Sequence, residues 1–417
     1  MPDDRRALPE QATCCIVGGG PAGIMLGFLL ARAGVDVAVL EKHKDFLRDF
    51  RGDTIHASTL ELMRELGLLQ DFLRLPHEKV ESFTARFGRE DVRIGDFTHL
   101  PTHCKFVAFM PQWHFLDFLA GHGRRHAGFN LQMETEATGL IVDGSGRIAG
   151  VRVQTPAGAR EIRADLVVAC DGRHSLMRQQ SGLPLTDYGA PIDVLWFRIP
   201  RRDGDPQELL GRVDYGHALV LIDRGAYWQC AYIIAKGSLD ALKRRGLAAL
   251  QAQIAQLAPF AADRLDMLDD WEKLKLLSVQ VNRLQRWHRP GLLCIGDAAH
   301  AMSPVGGVGI NLAIQDAVAA ANLLHAALRA RKPVDPLLQR VQQRRFLPTW
   351  LVQRFQVMAH GFLARHVLTA QPDRTRNGAL APPWPLRLIT RLPVLRQLLP
   401  RFVAVGYRPE HIATPQL

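Results

Sequence analysis

Cys14-Cys15-Ile16-Val17-Gly18-Gly19-Gly20-Pro21-Ala22-Gly23-Ile24 is the stretch on which the fold turns. An apolar, strand-like run meets a glycine-dense turn. A helical run follows, Met25 to Ala33, and Gly34 ends it. A second strand, Val35 to Leu40, closes on Glu41, 18 residues past Gly23. In a βαβ unit of this kind each glycine has a task. Gly18 permits the tight turn, Gly20 lets the backbone approach a pyrophosphate, and Gly23 lets helix and strand pack closely. The helix start at Pro21 and Ala22 offers amides and a positive dipole end. Glu41, followed by Lys42, is placed to accept from a ribose 2′-hydroxyl. The unit reads as a dinucleotide site.

At 417 residues the chain can bury a large core in two to three structural units. With 47% apolar and 22% charged residues, it has a globular composition. The six cysteines form no CxxC or zinc-like spacing, and four sit in apparent strands, so they read as buried reduced thiols in a cytoplasmic protein. No metal cluster is expected. Residues 1–11 lack a signal-peptide core, and no apolar run approaches the length of a membrane span. The net charge of +11 is uneven: from Leu323 onward fifteen basic residues face three acidic ones, leaving −1 for the rest. That distribution excludes a nucleic-acid footprint spread over a domain.

Further along, Thr54 to Leu66 reads as a helix, and residues 80–109 read as hairpin strands. Pro111-Gln112 opens another helix. Residues 129–170 read as a meander whose last strand, Leu166 to Cys170, runs into Asp171-Gly172. Residues 190–236 form a second β-rich stretch, and Leu239 to Leu257 reads as one amphipathic helix. A third strand-to-turn junction falls at Leu292 to Asp297, with a helix from near Gly309 to Leu328. Beyond Pro333 the chain reads as helical and arginine-rich, interrupted by prolines.

Three motifs thus stand far apart: Gly18-x-Gly20-x-x-Gly23 with Glu41; Cys170-Asp171-Gly172-Arg173-His174-Ser175-Leu176-Met177-Arg178; and Gly296-Asp297-Ala298-Ala299-His300 through Pro304 to Leu312. Singly, the two Asp-Gly turns are ordinary turns, and His300, Trp113 and His114 are packing residues. As an ordered set they resemble the single-component FAD monooxygenases of the p-hydroxybenzoate hydroxylase type, over about residues 12–330. The resemblance implies an α/β fold: a Rossmann-like FAD domain (1–75, 104–189, 275–330), a mixed-sheet substrate domain (76–103, 190–274) and a helical, basic C-terminal region (331–417). It implies FAD held by the glycine turn and Glu41, by Gln112 and Asp171, and by Asp297 at the ribityl hydroxyls. Arg51 and Pro304 would lie beside the reacting flavin, and the amides of Gly309, Ile310 and Asn311 would face its N1–C2=O edge. His174 and Arg178 would meet NADPH (or NADH).

The implied reaction is hydroxylation of an aromatic or polycyclic substrate by O2 through a C4a-(hydro)peroxyflavin. The alternatives are an FAD-dependent reductase or dehydrogenase of the geranylgeranyl-reductase kind, and a non-catalytic flavin-binding protein. No Trp-x-Trp-x-Ile-Pro stretch supports a halogenase. Residues 190–236 would supply the substrate wall, with Trp196, Arg198, His217, Tyr227 and Gln229 as candidates, although alternation lets only about half point inward. No tyrosine relay of the benzoate-type enzyme can be placed, which favours a larger substrate. The basic segment 385–405 is read as packing on the FAD domain or a partner subunit in a homodimer, in preference to peripheral membrane contact, because Pro393 and Pro400 would break an interfacial helix.

Overall fold

The computed structural model describes residues 7–47, 54–206, 209–370 and 380–417. Its first sheet is parallel at the centre, in the order Leu292–Cys294, Gly158–Ala169, Gln11–Val17, Val37–Leu40, Phe129–Gln132. These strands are buried on both faces, which is why Ala12 to Val17 is a continuous apolar run rather than an alternating one. Helices Pro21–Arg32, Gln112–Gly123 and Gly309–Arg329 cover one face. The other face is covered by antiparallel strands Glu136–Val142 and Ile148–Thr155.

Several expectations need correcting. The first strand of the supposed meander, Phe129–Gln132, leaves it and pairs in parallel with Val37–Leu40. Thr54–Ile55 is a short strand against Val107–Phe109, and the helix starts only at Ala57. Leu239 to Leu257 is two helices, split at Gly246, whose φ of 87° ends Leu239–Arg245. Among the described residues one helical stretch, Val305–Arg329, is long and apolar enough to cross a membrane, yet 78% of its apolar window is buried here as a core helix.

The second sheet has seven strands, in the order Lys275–Ser278, Ile192–Pro200, Tyr227–Ala235, His217–Asp223, Leu209–Asp214, Ser82–Phe87, Glu90–Asp96. Its outer face, with Leu195, Phe197, Leu219, Leu221 and Trp228, packs on Leu250 and Ile254 of helix Leu247–Leu257. Its inner face carries Trp196, Val220 and Ile222 toward Phe109, Ala57 and Ala404. The C-terminal chain is woven into both layers. Helix Asp335–Leu363 contains Pro348 and lies along the first unit. Pro393 starts helix Pro393–Ala404, but Pro400 sits inside it without breaking it.

Candidate functional site: a flavin cradle at the sheet's carboxyl edge

Backbone contacts bring the three motifs together. Gly18 has φ +107°, and a Cβ there would lie 2.4 Å from the Cys170 carbonyl oxygen; one on Gly23 would lie 1.9 Å from the Gly18 oxygen. A Cβ on Gly296 would meet Ala313 at 3.2 Å and Ala22 at 3.4 Å, so the third motif rests against the first turn after the glycines. Ile295 N–H donates to the Ala169 oxygen (3.1 Å) and Cys170 N–H to the Val17 oxygen (2.7 Å). All three turns thus emerge side by side where ligands of such sheets bind.

The polar groups around this junction offer places for an anion and for sugar hydroxyls. Glu41 is held by the Gly19 amide (3.1 Å) and by His43 Nδ1 (2.5 Å), with Lys42 exposed beside it. Gly20 opens on free space. Helices Pro21–Arg32 and Gly309–Arg329 both lack a side-chain N-cap, leaving first-turn amides for an anion. Asp171 Oδ2 accepts from the Met177 amide (3.2 Å), while its Oδ1 is buried with no partner among the described residues. Burial lifts the Asp171 carboxyl above its ordinary range against the pull of Ser175 and the local amides. Asp297, partly exposed, accepts from Arg173 Nη2 (3.3 Å). An open glycine, two uncapped helices and an orphaned carboxylate oxygen fit a flavin dinucleotide.

Other expected residues fall as follows. Asn311 commits its side chain to the protein: its oxygen accepts from His56 N–H (2.9 Å) and Thr59 Oγ1 (2.7 Å), and its Nδ2 donates to Thr54 and Gly307 oxygens. Only its amide, with those of Gly309 and Ile310, is left for a ligand. Gln112 opens its helix half-buried, and Pro304 is half-buried in the loop before Gly309. His174 is exposed. Arg178 departs from its expected role: it is buried, and its fork donates to the carbonyls of Arg173 (2.7 Å), Ala298 (3.2 Å) and Asp297 (3.5 Å). It braces two motif turns together. Arg51 lies outside the described residues.

On the second sheet, register decides the substrate candidates. Trp196 pairs with Ala231, Arg198 with Gln229, and Pro200 with Tyr227, so Trp196, Arg198, Tyr227 and Gln229 share the inner face. Trp196 Nε1 is buried there without a partner among the described residues. Gln229 accepts from Arg224 Nε (3.2 Å), whose guanidinium lies over the Phe109 ring. His217 is a correction. It belongs to the outer set with Leu219 and Leu221, and its Nδ1 bonds the Tyr232 hydroxyl (2.6 Å), which donates to Gln253 (3.0 Å). Strand alternation puts it on the opposite face from Trp196 and Gln229.

The sequence reading missed a polar stripe on helix Asp335–Leu363. Arg345, Thr349, Gln353, Gln356 and His360 recur at helical spacing and are all buried. Three of them, Gln353, Gln356 and His360, serve the loop that leads to Gly309. Gln353 Nε2 donates to the Asn282 and Ala301 oxygens (2.8 and 3.1 Å). Gln356 accepts from Ser303 N–H (3.1 Å) and donates to the Ser303 and Val305 oxygens (2.9 and 3.0 Å). His360 Nε2 pairs with Ser303 Oγ (2.6 Å), and burial lowers its pKa to about 4. Pro304 is therefore clamped on both sides. The available signal was the run of amides and histidine at i, i+4 and i+3 steps, inconspicuous among the arginines.

A parallel sheet with three ligand turns at one edge and a second sheet closing over them defines a flavin-dependent oxidoreductase. Comparison with known proteins makes this specific. Residues 11–355 match the FAD binding domain family model, and the chain belongs to that family of FAD-dependent monooxygenases. It is 33% identical to 6-methylpretetramide 4-monooxygenase of Streptomyces rimosus, over 94% of this chain and 92% of that protein. It is 26% identical to 12-dehydrotetracycline 5-monooxygenase/anhydrotetracycline 6-monooxygenase of Streptomyces rimosus subsp. rimosus, over 82% and 68% of the two chains. The crystal structure of p-nitrophenol 4-monooxygenase PnpA from Pseudomonas putida DLL-E4 superposes with a TM-score of 0.76 at 21% identity, covering 96% of this chain and all of that one, and so shares the fold.

Proposed function

We propose that the enzyme hydroxylates a polycyclic aromatic substrate, with NADPH or NADH as reductant and O2 as oxidant. The observation that carries this is the apolar inner face of the second sheet, with Trp196, Val220 and Ile222 packed toward the flavin unit. The near full-length likeness to an enzyme named for a pretetramide substrate supports the same reading. The flavin, when bound, supplies the reductive activation of oxygen. The chain's own residues bind and orient. Gly18 to Gly23 and Glu41 hold the adenine end, and Asp171, Asp297 and Gln112 the middle. The amides of Gly309, Ile310 and Asn311 favour negative charge at the ring, which an uncapped helix start stabilises by up to ~2 kcal/mol in a partly buried site. Pro304 walls the ring, Arg51 is assigned beside it, and the inner face excludes water. Trp196 Nε1 is the donor offered to a substrate oxygen, with Gln229, Tyr227 and Arg198 further along the wall. His174 is assigned to the reducing nucleotide; Arg178 braces the turns behind it.

The same reading treats 76–103 and 190–274 as the substrate unit, and 331–417 as support for the flavin unit as well as a cover for the inner face. Phe402 and Val403 pack on Met302, Val308 and Leu312, which favours internal packing of this segment over membrane contact. The unpaired cysteines fit a cytoplasmic setting. The test is oxygen uptake by FAD-loaded protein with NADPH or NADH and a panel of polycyclic phenols. Substrate-stimulated uptake with gain of one oxygen atom in the product is expected. Nucleotide oxidation that reduces an added substrate without oxygen would replace this reading with the reductase.

A further inference from the structure

Asp316, two turns into helix Gly309–Arg329, is fully buried. Its Oδ2 accepts from Gly296 N–H (3.1 Å) and pairs with His300 Nε2 (2.5 Å); its Oδ1 accepts from Arg345 Nε (3.0 Å). Burial pushes this carboxyl up, but His300, Arg345 and the Gly296 amide outweigh it and hold it below its ordinary range. Arg345 in turn faces Glu410, with Nη1 3.6 Å from Oε1. Glu410 is also buried, is paired with Arg344 (2.8 and 2.9 Å from Nε), and donates its amide to Gln315. A string of alternating charges therefore runs from the Gly296–Asp297 turn to a residue far beyond the cofactor motifs. Charges in such an interior act over longer range than in water.

We propose that Arg345 and Glu410 are positioning residues for the flavin. They fix the place and the compensation of Asp316, and through it the Gly296–His300 turn, so the 405–417 segment tunes FAD affinity and reduction potential. This rests on the flavin reading above. The segment is held independently of the Glu410 charge. Glu65 takes His411 (2.6 Å) and the Ile412 amide, Asn322 takes the Ala413 amide, and Arg32 donates to the Thr414 oxygen. Glu410→Gln should therefore keep the fold while removing one negative charge from the string. The sign follows: removing a negative charge from a buried string that ends at the Gly296–His300 turn lowers the cost of added electron density on a reduced flavin held there, so the potential rises.

The experiment measures FAD dissociation and reduction potential on the full chain. Expected are a positive potential shift and roughly 2- to 30-fold weaker FAD binding in Glu410→Gln, within the range of mutations along such networks. Asp316→Asn should shift the potential further, Glu410→Asp should restore both quantities, and His411→Ala, which removes one of the two Glu65 contacts and leaves the charge string intact, should change neither. Wild-type potential and affinity in Glu410→Gln would overturn the proposal, as would a lowered melting temperature with no potential shift. If Asp316→Asn does not fold, the comparison of Glu410→Gln with His411→Ala decides. Failure of the wild-type chain to bind FAD would instead defeat the flavin reading.

Discussion

The glycine turns and the helix Asp335–Leu363 both shape the candidate site at the sheet's carboxyl edge, but by different means. At Gly18 and Gly23 backbone meets backbone so closely that any side chain would collide, and at Gly296 a helix face leaves a Cβ only a tight fit. Along the long helix, Gln353, Gln356 and His360 reach the loop before Gly309 through side-chain hydrogen bonds, and Arg345 reaches Asp316 on the helix that follows it. Close approach tolerates one residue type. A hydrogen bond to a carbonyl can be made by several. The first arrangement therefore leaves a fixed spelling in the sequence, and the second leaves only a periodicity.

The sharpest way to break that comparison is at Gly23. A Cβ there would stand 1.9 Å from the Gly18 oxygen, which is backbone and cannot rotate away. Gly23→Val is expected to abolish FAD retention and lower the melting temperature by many degrees, since buried overpacking alone costs about 1–3 kcal/mol or more. Flavin absorbance at wild-type levels in the purified variant would show that the turn is looser than drawn.

Asp297 comes next. Asp297→Ala removes a partly exposed carboxylate whose own partner is Arg173, so the fold should persist while FAD binding weakens. Loss of a charged hydrogen bond of about 1.5–3 kcal/mol corresponds to roughly 10- to 150-fold in affinity. Fluorescence titration with FAD measures it, and an unchanged dissociation constant would remove Asp297 from the cradle.

On the long helix, Gln356→Leu strands the Ser303 amide and the Ser303 and Val305 oxygens, each costing about 1–3 kcal/mol if left unpaired. The expected result is a clear loss of thermal stability and, in whatever folds, NADPH oxidation that yields peroxide in place of product, because Pro304 is no longer clamped. Full coupling in a stable variant would show the stripe to be scaffold only.

A smaller effect separates the stripe by pH. His56 and His360 each have a pKa lowered to about 4 by burial, against an ordinary value of 6.5. A histidine kept neutral in the folded state is protonated more readily when unfolded. Its contribution is therefore complete above pH 6.5 and is lost as pH falls from 6.5 toward 4. Denaturant unfolding of His360→Gln should show a shallower decline over that window than the wild type. Identical slopes would mean that His360 is not what titrates.

These contrasts explain what was legible in the residues. Gly18 to Gly23, Asp171 and Gly296-Asp297 declared the fold and the three turns at one sheet edge because sterics and strand ends left them little freedom. Arg178 was misassigned because an arginine near a nucleotide site and an arginine bracing two carbonyl-rich turns look alike until its fork is seen on Arg173, Ala298 and Asp297. Phe129–Gln132 was assigned to the wrong neighbour because strand pairing is long-range, and a short apolar run does not encode its partner. The C-terminal chain read as helical and arginine-rich, with no buried polar stripe, because charge count outweighs spacing when residues are tallied. Its buried stripe and Glu410 were hidden in that tally.

His217 gives the finest test, because it stands on one strand with residues that face the flavin unit. Ala218, Val220 and Ile222 lie on the inner face, while His217, Leu219 and Leu221 lie on the outer one. His217→Ala removes a hydrogen bond to Tyr232 worth about 0.5–1.5 kcal/mol, and it should leave kcat and KM unchanged while slightly lowering stability. Gln229→Ala, one strand away and inward, should raise KM for the aromatic substrate with little change in stability beyond the lost Arg224 contact. If His217→Ala raises KM as Gln229→Ala does, the two faces are not independent, and the substrate wall must extend through the sheet to the helix Leu247–Leu257. If only Gln229→Ala does, a period of two along a single strand is enough to divide substrate recognition from scaffold.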